Sequence, residues 1–374
     1  MSDDKDRISE YIPMLGSEEI KAVSEVINDG WLSPKGQRVK DLERKICQFA
    51  GTNYSTATDS GTAALHLSVE SLDLSSEDEV IIPDFTYGST GLAVTNSRVK
   101  PVIVDSERSY LGIDPEIIKN KISPNTKAII VTHMLGNVAD IRAIKEIAED
   151  HNLFLIEDAA QSMGASFQGN PAGSIGDIGC FSFAWSKNIT TGKGGAAITD
   201  RPGLAEKIEK ISDYGRNPEK RFSFEESIGY NYKIDNIRAA IGLIQLNKFR
   251  EIVDRKNKIF SYYKKELDPI PQIQFPSNEK RRNSESVPSM FALFVQDRDS
   301  LHTCLKKNNI DARPFFPPLH EMPAFSKYAE DEYPVTEDIT SKGVILPSHP
   351  GLRRRDIEKV VRSIKDFYGK QSTE

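Results

Sequence analysis

The chain has 374 residues, more than one small core normally holds, so two domains are the natural expectation. Apolar residues make up 38% and charged residues 28%, the balance of a soluble globular protein. A net charge of −6 gives no reason to expect nucleic acid or an anionic membrane as partner, and no apolar run approaches the ~20 residues of a membrane span.

The opening residues 1–6 are acidic and lack an apolar core, so they do not read as a signal peptide. Residues 17–28 read as an amphipathic helix, with Ser17 as cap and Glu19 in the first turn. Ser60-Gly61-Thr62 opens a second helix, running to about Leu72. Strands are predicted at 79–82, 100–105 and 128–132, then a helix over 140–150 and a strand at 153–157. Alternation of strand and helix at this spacing argues a mostly parallel sheet with helices on both faces. A long helical pattern covers 236–267. Residues 269–288 are polar and irregular, and read as the passage into a smaller α+β unit ending in a helix over 355–368. The division is placed at 12–245 and 246–374. Cys47, Cys180 and Cys304 are odd in number and far apart, which suggests a reducing, cytoplasmic setting without disulfides. Cysteine and histidine show no metal-ligand spacing.

Two stretches carry chemistry. In Phe181-Ser182-Phe183-Ala184-Trp185-Ser186-Lys187-Asn188, the lysine follows a short apolar strand and precedes a Thr/Gly-rich turn. Its amine therefore projects from a rigid element at the edge of a pocket. A buried amine sheds its charge readily and can form a Schiff base with a carbonyl, and pyridoxal phosphate is the obvious one. In Leu153-Phe154-Leu155-Ile156-Glu157-Asp158, the apolar run reads as a buried parallel strand. Asp158 lies at its C-terminal end, where open α/β sheets place ligands. A carboxylate there can pair with a protonated pyridine nitrogen, and Gln161 can reach the same ring. Taken alone, Asp158 is also a plausible helix N-cap and Gln161 a loop-capping amide.

A phosphate needs donors. Ser60-Gly61-Thr62-Ala63 offers a hydroxyl, a glycine for close approach and the free N–H groups of a helix start, although an ordinary Ser/Thr cap would look the same. Ser182 is a second candidate donor. Tyr87, in Pro83-Asp84-Phe85-Thr86-Tyr87, follows a strand end where an aromatic can stack on a flat ring. Phe85 reads as core.

These residues bring a family into view. Asp158-Ala159-Ala160-Gln161, Gly173-Ser174-Ile175-Gly176-Asp177, Phe181-Ser182-Phe183 and Lys187-Asn188 resemble the DegT/DnrJ/EryC1/StrS aminotransferases. So do Asp59-Ser60-Gly61-Thr62-Ala63 and Gly229-Tyr230-Asn231-Tyr232-Lys233-Ile234-Asp235-Asn236. The resemblance spans about residues 11–368. It implies fold type I, the aspartate-aminotransferase-like α/β fold, with a smaller C-terminal α+β domain. It also implies pyridoxal 5'-phosphate held by Lys187, L-glutamate as amino donor and a keto-sugar as acceptor. The first choice of acceptor is a nucleotide-linked 4-keto-6-deoxyhexose, as in the perosamine-synthase branch. By the same resemblance Gly61, Thr62, Ala63 and Ser182 hold the phosphate and Tyr87 stacks on the ring. Asn231 reaches the phosphate of a neighbouring subunit, which implies a homodimer with shared active sites. His320 resembles a family motif near the substrate mouth, with domain-interface packing as the alternative. His133 is taken as scaffold beneath the site, and Trp31 as a residue of the sugar or dimer face.

Lys193, Lys233 and Trp185 depart from the family pattern, and this leaves substrate identity open. A keto-cyclitol acceptor stays possible, as does a PLP-binding regulatory protein without turnover. Lys187 argues against the sugar dehydratases, in which histidine replaces that lysine. No G-x-G-x-x-G follows the first strand, which argues against a dinucleotide-binding reading.

Overall fold

A computed structural model describes residues 6–217, 220, 224–276 and 284–371. Two helices, α1 (Ser17–Asp29) and α2 (Gln37–Ala50), lead into β1 (Tyr54–Thr58) and α3 (Gly61–Glu70). The cap of α1 is Gly16 rather than the expected Ser17: its N–H is taken by the Glu19 carboxylate at 2.8 Å. Then follow β2 (Glu79–Pro83), α4 (Ser89–Asn96), β3 (Lys100–Val104), α5 (Pro115–Lys121), β4 (Thr126–Thr132), α6 (Ile141–Asp150) and β5 (Phe154–Asp158). A short hairpin, β6 (Ser166–Phe167) and β7 (Asn170–Pro171), precedes β8 (Ile178–Ser182), β9 (Gly195–Thr199) and α7 (Pro202–Ser212).

Seven of these strands form one sheet in the order β1-β9-β8-β5-β4-β2-β3. Strand β9 pairs antiparallel with both β1 and β8, and every other pairing is parallel. The sheet is thus mostly parallel, as the alternation predicts. The period of two is visible in the core. Ile81, Ile129 and Leu155 point to one face, where they meet Leu42 and Ile46 of α2 and Ile144 of α6. Val80, Ile82, Ile130 and Ile156 point to the other, against Leu65 and Leu67 of α3. Each such side chain contributes roughly 1.5–3 kcal/mol on burial, and both faces of a parallel sheet must be covered in this way.

Helix α8 (Asn236–Leu267) matches the predicted span and runs unbroken through residue 245. Leu246 and Ile252 serve the sheet's core, whereas Ile259, Tyr263 and Leu267 belong to another. That second core is built with β11 (Phe291–Phe294), α9 (Arg298–Lys307), β13 (Gly343–Leu346) and α11 (Arg354–Gln371), after a two-residue strand β10 (Ser284–Glu285) that pairs with β6; β12 (Arg313–Pro314) edges its sheet, and α10 (Pro334–Lys342) packs Ile339 with Phe85, Phe315 and Ile345 instead. Strands β11, β13 and β12 form a three-stranded antiparallel sheet. Part of the predicted irregular stretch, residues 277–283, lies outside the described residues.

The two cores are tied together in three further places. Phe85 stacks between Phe315 and Phe316, with centroids 5.3 and 5.0 Å away. The chain between β12 and α10 returns to the larger core through Leu319, Phe325 and Tyr333. Near the N-terminus Ile8 exchanges backbone hydrogen bonds with Asn309 and Asp311, so residues 10–14 must cross from one core to the other. Among the described residues, no helix is long and apolar enough to cross a membrane, and no cluster of His, Cys, Asp and Glu could hold a metal ion.

Candidate active site

The C-terminal ends of β4, β5 and β8 and the N-terminus of α3 open on one cavity of about 250 Å³. It is a ligand-sized hollow at the place where a parallel sheet presents its strand ends. Asp158 is the last residue of β5 and is buried, 4% exposed. Its Oδ2 accepts from the Thr90 hydroxyl at 3.0 Å and its Oδ1 from the Ala160 N–H at 3.1 Å. Burial pushes this carboxyl up from its ordinary range; the Ala160 N–H and the Lys187 charge pull the other way. No basic side chain among the described residues pairs with Asp158 at ion-pair distance.

Lys187 lines the same cavity, half-buried, its amine facing inward. Its backbone N–H donates to Ala184 O at 3.0 Å, and its carbonyl accepts from the Tyr11 hydroxyl. Burial lowers the amine to about 8; Asp158 opposes that shift and Arg313 adds to it. A lysine in that range has free base available near neutral pH and can act as nucleophile or proton carrier.

The phosphate-type donors converge from the opposite wall. Ser60 caps α3 with extended backbone, and its Oγ accepts from the Ala63 N–H at 3.1 Å. Ala63 is buried behind the wall with that N–H taken, whereas Ser60, Gly61, Thr62 and Ser182 line the cavity. Helix α3 enters so close to β8 that a Cβ on Gly61 would sit 2.7 Å from Ser182 Cβ. Gly195 of β9 is pressed equally hard against Gly61 from behind, where a Cβ would meet its nitrogen at 2.6 Å. Gly61→Ala must therefore push α3 off the sheet. The expected result is a loss of about 1–3 kcal/mol of stability together with weaker uptake of pyridoxal phosphate. Thermal melts and a cofactor titration check it, and wild-type values in both would contradict it.

Tyr87 lines the cavity and is 61% exposed, held edge-on by Phe316 at 6.1 Å. Gln161 lines it too, its Oε1 accepting from the Leu135 N–H at 3.1 Å. Phe85 is core, as read. His133 lies fully buried below the strand ends. The Ala139 N–H donates to His133 Nδ1 at 3.2 Å, so the ring proton sits on Nε2 and is donated to Glu157 at 2.9 Å. Glu157 also accepts from the backbone N–H groups of Gly173, Ile175 and Gly176. Burial alone would raise this carboxyl; those four donors hold it below the usual carboxylate range. The Gly173–Asp177 motif is thus a wrapper for Glu157, and Glu157 braces the strand that ends in Asp158.

Besides Ala63, three expected residues lie outside the cavity wall. His320 binds Asp84 through Nδ1 at 2.6 Å and through its backbone N–H at 2.9 Å, and stacks on Tyr333. The structure places it as packing between the chain after β12 and the end of β2, in line with the alternative reading. Trp31 is 57% exposed, its carbonyl bound by Asn236 Nδ2 at 2.8 Å. Asn231 is exposed and bridges to Asp213 through the backbone. Conversely, Arg313 and Glu10 line the cavity and pair at 2.6 Å, and neither has a local sequence signal. Lys193 lines it as well, reaching Asp59 at 3.2 Å.

The model of the DegT/DnrJ/EryC1/StrS aminotransferase family matches residues 13–365. This chain belongs to that family. It is 34% identical to the GDP-perosamine synthase of Escherichia coli O157:H7 over 358 residues, covering 96% of this chain and 98% of that protein. It is 33% identical to the dTDP-3-amino-3,6-dideoxy-alpha-D-galactopyranose transaminase of Aneurinibacillus thermoaerophilus over 350 residues, covering 93% and 94%. Among solved structures, DesV of S. venezuelae, in complex with a ketimine intermediate, superposes with a TM-score of 0.88 at 29% identity, covering 94% of each chain. The protein is therefore an aminotransferase with the α/β fold and mostly parallel sheet expected of fold type I.

The residues of this aminotransferase fit pyridoxal phosphate. A buried carboxylate without a basic partner faces the cavity from one side, a soft amine stands beside it, and a helix N-terminus with two hydroxyls lies across. Asp158 would hold a cationic ring nitrogen, Lys187 the carbonyl carbon, and Ser60, Gly61, Thr62 and Ser182 the phosphate.

Proposed function

We propose that this aminotransferase uses pyridoxal 5'-phosphate to move an amino group from L-glutamate to a keto-sugar, a nucleotide-linked 4-keto-6-deoxyhexose in the first instance. The observation that carries the proposal is the soft Lys187 amine and the buried Asp158 carboxylate on the wall of one cavity. When bound, the cofactor supplies an aldehyde that condenses with amines and a ring that spreads negative charge. The protein's own part is positioning and proton transfer. Asp158 keeps a proton on the ring nitrogen, because burying its carboxylate beside a cation is far cheaper than burying it alone. Lys187 Nζ, able to lose its proton near pH 8, would take one from the donor's α-carbon and deliver it to the cofactor's exocyclic carbon, on the far side of the nitrogen. Tyr87 and Gln161 fix the ring plane from the rim. Arg313, Lys193 and the exposed face of Trp185 offer an acceptor both positive charge and a stacking surface.

The names of the relatives support a sugar acceptor, and they differ in nucleotide and in the amino sugar made. The test is to load the protein, convert it with L-glutamate, remove the glutamate, and offer GDP-linked and dTDP-linked 4-keto-6-deoxyhexoses. Formation of an amino-sugar nucleotide, seen by mass, is the expected result. Turnover with a keto-cyclitol alone would replace the sugar reading.

The proposal includes a homodimer in which Asn231 serves the partner's phosphate site, supported by its exposed place outside its own chain's cavity. Mixing Lys187→Ala with Asn231→Ala protein and letting subunits exchange should restore activity that neither variant has alone. No recovery would remove the shared site. Cytoplasmic residence belongs to the same reading, supported by three cysteines that are unpaired.

A further inference from the structure

Helix α8 buries a stripe at helical spacing: Ile252, Lys256, Ile259 and Tyr263. Three of these are what a core face calls for. The fourth is a lysine only 1% exposed. No carboxylate among the described residues lies in ion-pair range of it, so nothing offsets the cost of burying the amine except hydrogen bonds. Those bonds are specific. Lys256 Nζ donates to Asn188 Oδ1 at 2.8 Å and to the carbonyl of Ser289, and it stands 5.9 Å from the centre of the Tyr11 ring. Asn188 is the next residue after Lys187, and Tyr11 donates its hydroxyl to the Lys187 carbonyl. One position earlier, the Lys187 N–H is held by Ala184; two residues after Asn188, the Thr190 N–H donates to Gln245 of the same helix at 3.4 Å. The loop that carries the reactive amine is thus pinned to α8, and the pin nearest Lys187 is the buried lysine.

We propose that Lys256 is a positioning residue for Lys187, acting through Asn188. The inference rests on Lys187 being the cofactor-binding lysine. A methionine at this position would pack more cheaply, but it would leave Asn188 Oδ1 without this donor and remove the tie to α8 nearest Lys187. The titratable groups facing Lys256 are Lys187, His349 and Tyr11. Burial and the Lys187 charge lower Lys256 to about 7, and burial with the Lys256 charge lowers His349 to about 4. The His349 ring has no hydrogen-bond partner for Nδ1, and Asp356 is the carboxylate that acts on it. Lys256 therefore sheds its charge before Lys187 does, and its hold on the loop lies in its hydrogen bonds to Asn188 and Ser289.

The experiment compares wild type, Lys256→Met, Lys256→Arg and Asn188→Ala. Acetic anhydride labelling of Lys187 in cofactor-free protein is followed by mass across pH, and the glutamate half-reaction is followed in loaded protein. Lys256→Met should change the rate of Lys187 labelling severalfold while leaving its midpoint near 8, and slow the half-reaction roughly tenfold to a hundredfold. Lys256→Arg, which retains hydrogen-bond donors for Asn188, should recover part of both rates. A Lys256→Met protein with wild-type labelling and half-reaction rates, whatever its melting temperature, makes Lys256 a packing residue and overturns the inference. Should Lys256→Met fail to fold, Asn188→Ala decides by its rate: a slowed half-reaction supports the link, and a wild-type rate breaks it. The labelling arm needs neither cofactor nor substrate. A wild-type protein that ignores glutamate would therefore count against the proposed function and not against this coupling.

Discussion

Replacing Lys187 with alanine is expected to abolish the visible band of bound pyridoxal phosphate and to slow amine transfer by roughly 10²–10⁴-fold, the usual worth of a positioned proton carrier. The loss should be in rate and not in folding. Lys187 sits on the cavity wall and contributes its backbone, not its amine, to the hydrogen bonds of its loop. A far-ultraviolet spectrum and a melt should therefore match wild type while stopped-flow traces do not. The pH dependence carries a further sign. Only the neutral amine captures a carbonyl, and burial lowers this one to about 8. Cofactor uptake by the wild-type protein should accelerate as pH rises through about 8, rather than through the ordinary lysine range near 10.5. Uptake that is flat with pH, or an alanine variant within tenfold of wild type, would remove Lys187 from the chemistry.

Asp158→Asn carries the second large effect. The substitution keeps the shape and the bond to the Ala160 N–H, so the strand end should stand. It removes the buried carboxylate charge that would balance a cationic ring nitrogen. Separating the partners of a buried ion pair costs about 3–5 kcal/mol. At 1.4 kcal/mol per tenfold, that is roughly two to three and a half orders of magnitude in the glutamate half-reaction. Cofactor capture by Lys187 should survive, because that bond does not depend on Asp158. Stopped-flow absorbance separates the two steps. A variant that captures the cofactor but transfers the amine at near wild-type speed would mean that the ring nitrogen is served by some other group.

Much of this was legible in the residues because it is local. Asp158 ends an apolar run, and a run of that kind must be a strand whose end faces a ligand crevice. Ser60-Gly61-Thr62 announces a helix start, and the clash awaiting a Cβ on Gly61 explains the glycine. The predicted parallel strands and the 236–267 helix lie where periodicity puts them. The reversal of β9 was not legible: no strand is predicted over its five residues, and a strand pattern gives no direction in any case. Arg313, Glu10 and Thr90 escaped notice because each becomes meaningful only opposite a residue tens to hundreds of positions away. Lys256 was hidden in a different manner. On a helix with abundant surface lysines, one more looks solvated, and only the coordinates reveal that it points inward. For His320 a motif near the substrate mouth was legible, and the fold adds its contacts, Asp84 Oδ2 at 2.6 Å and the stacked Tyr333 ring.

The most direct test is an absorbance spectrum of the loaded protein before and after L-glutamate, with Lys187→Ala alongside. A visible band in wild type that glutamate converts to the near-ultraviolet band of the amine form, and that the variant lacks, is the expected outcome. A wild-type protein that takes up no cofactor after reconstitution would contradict the assignment of Lys187 and Asp158 together.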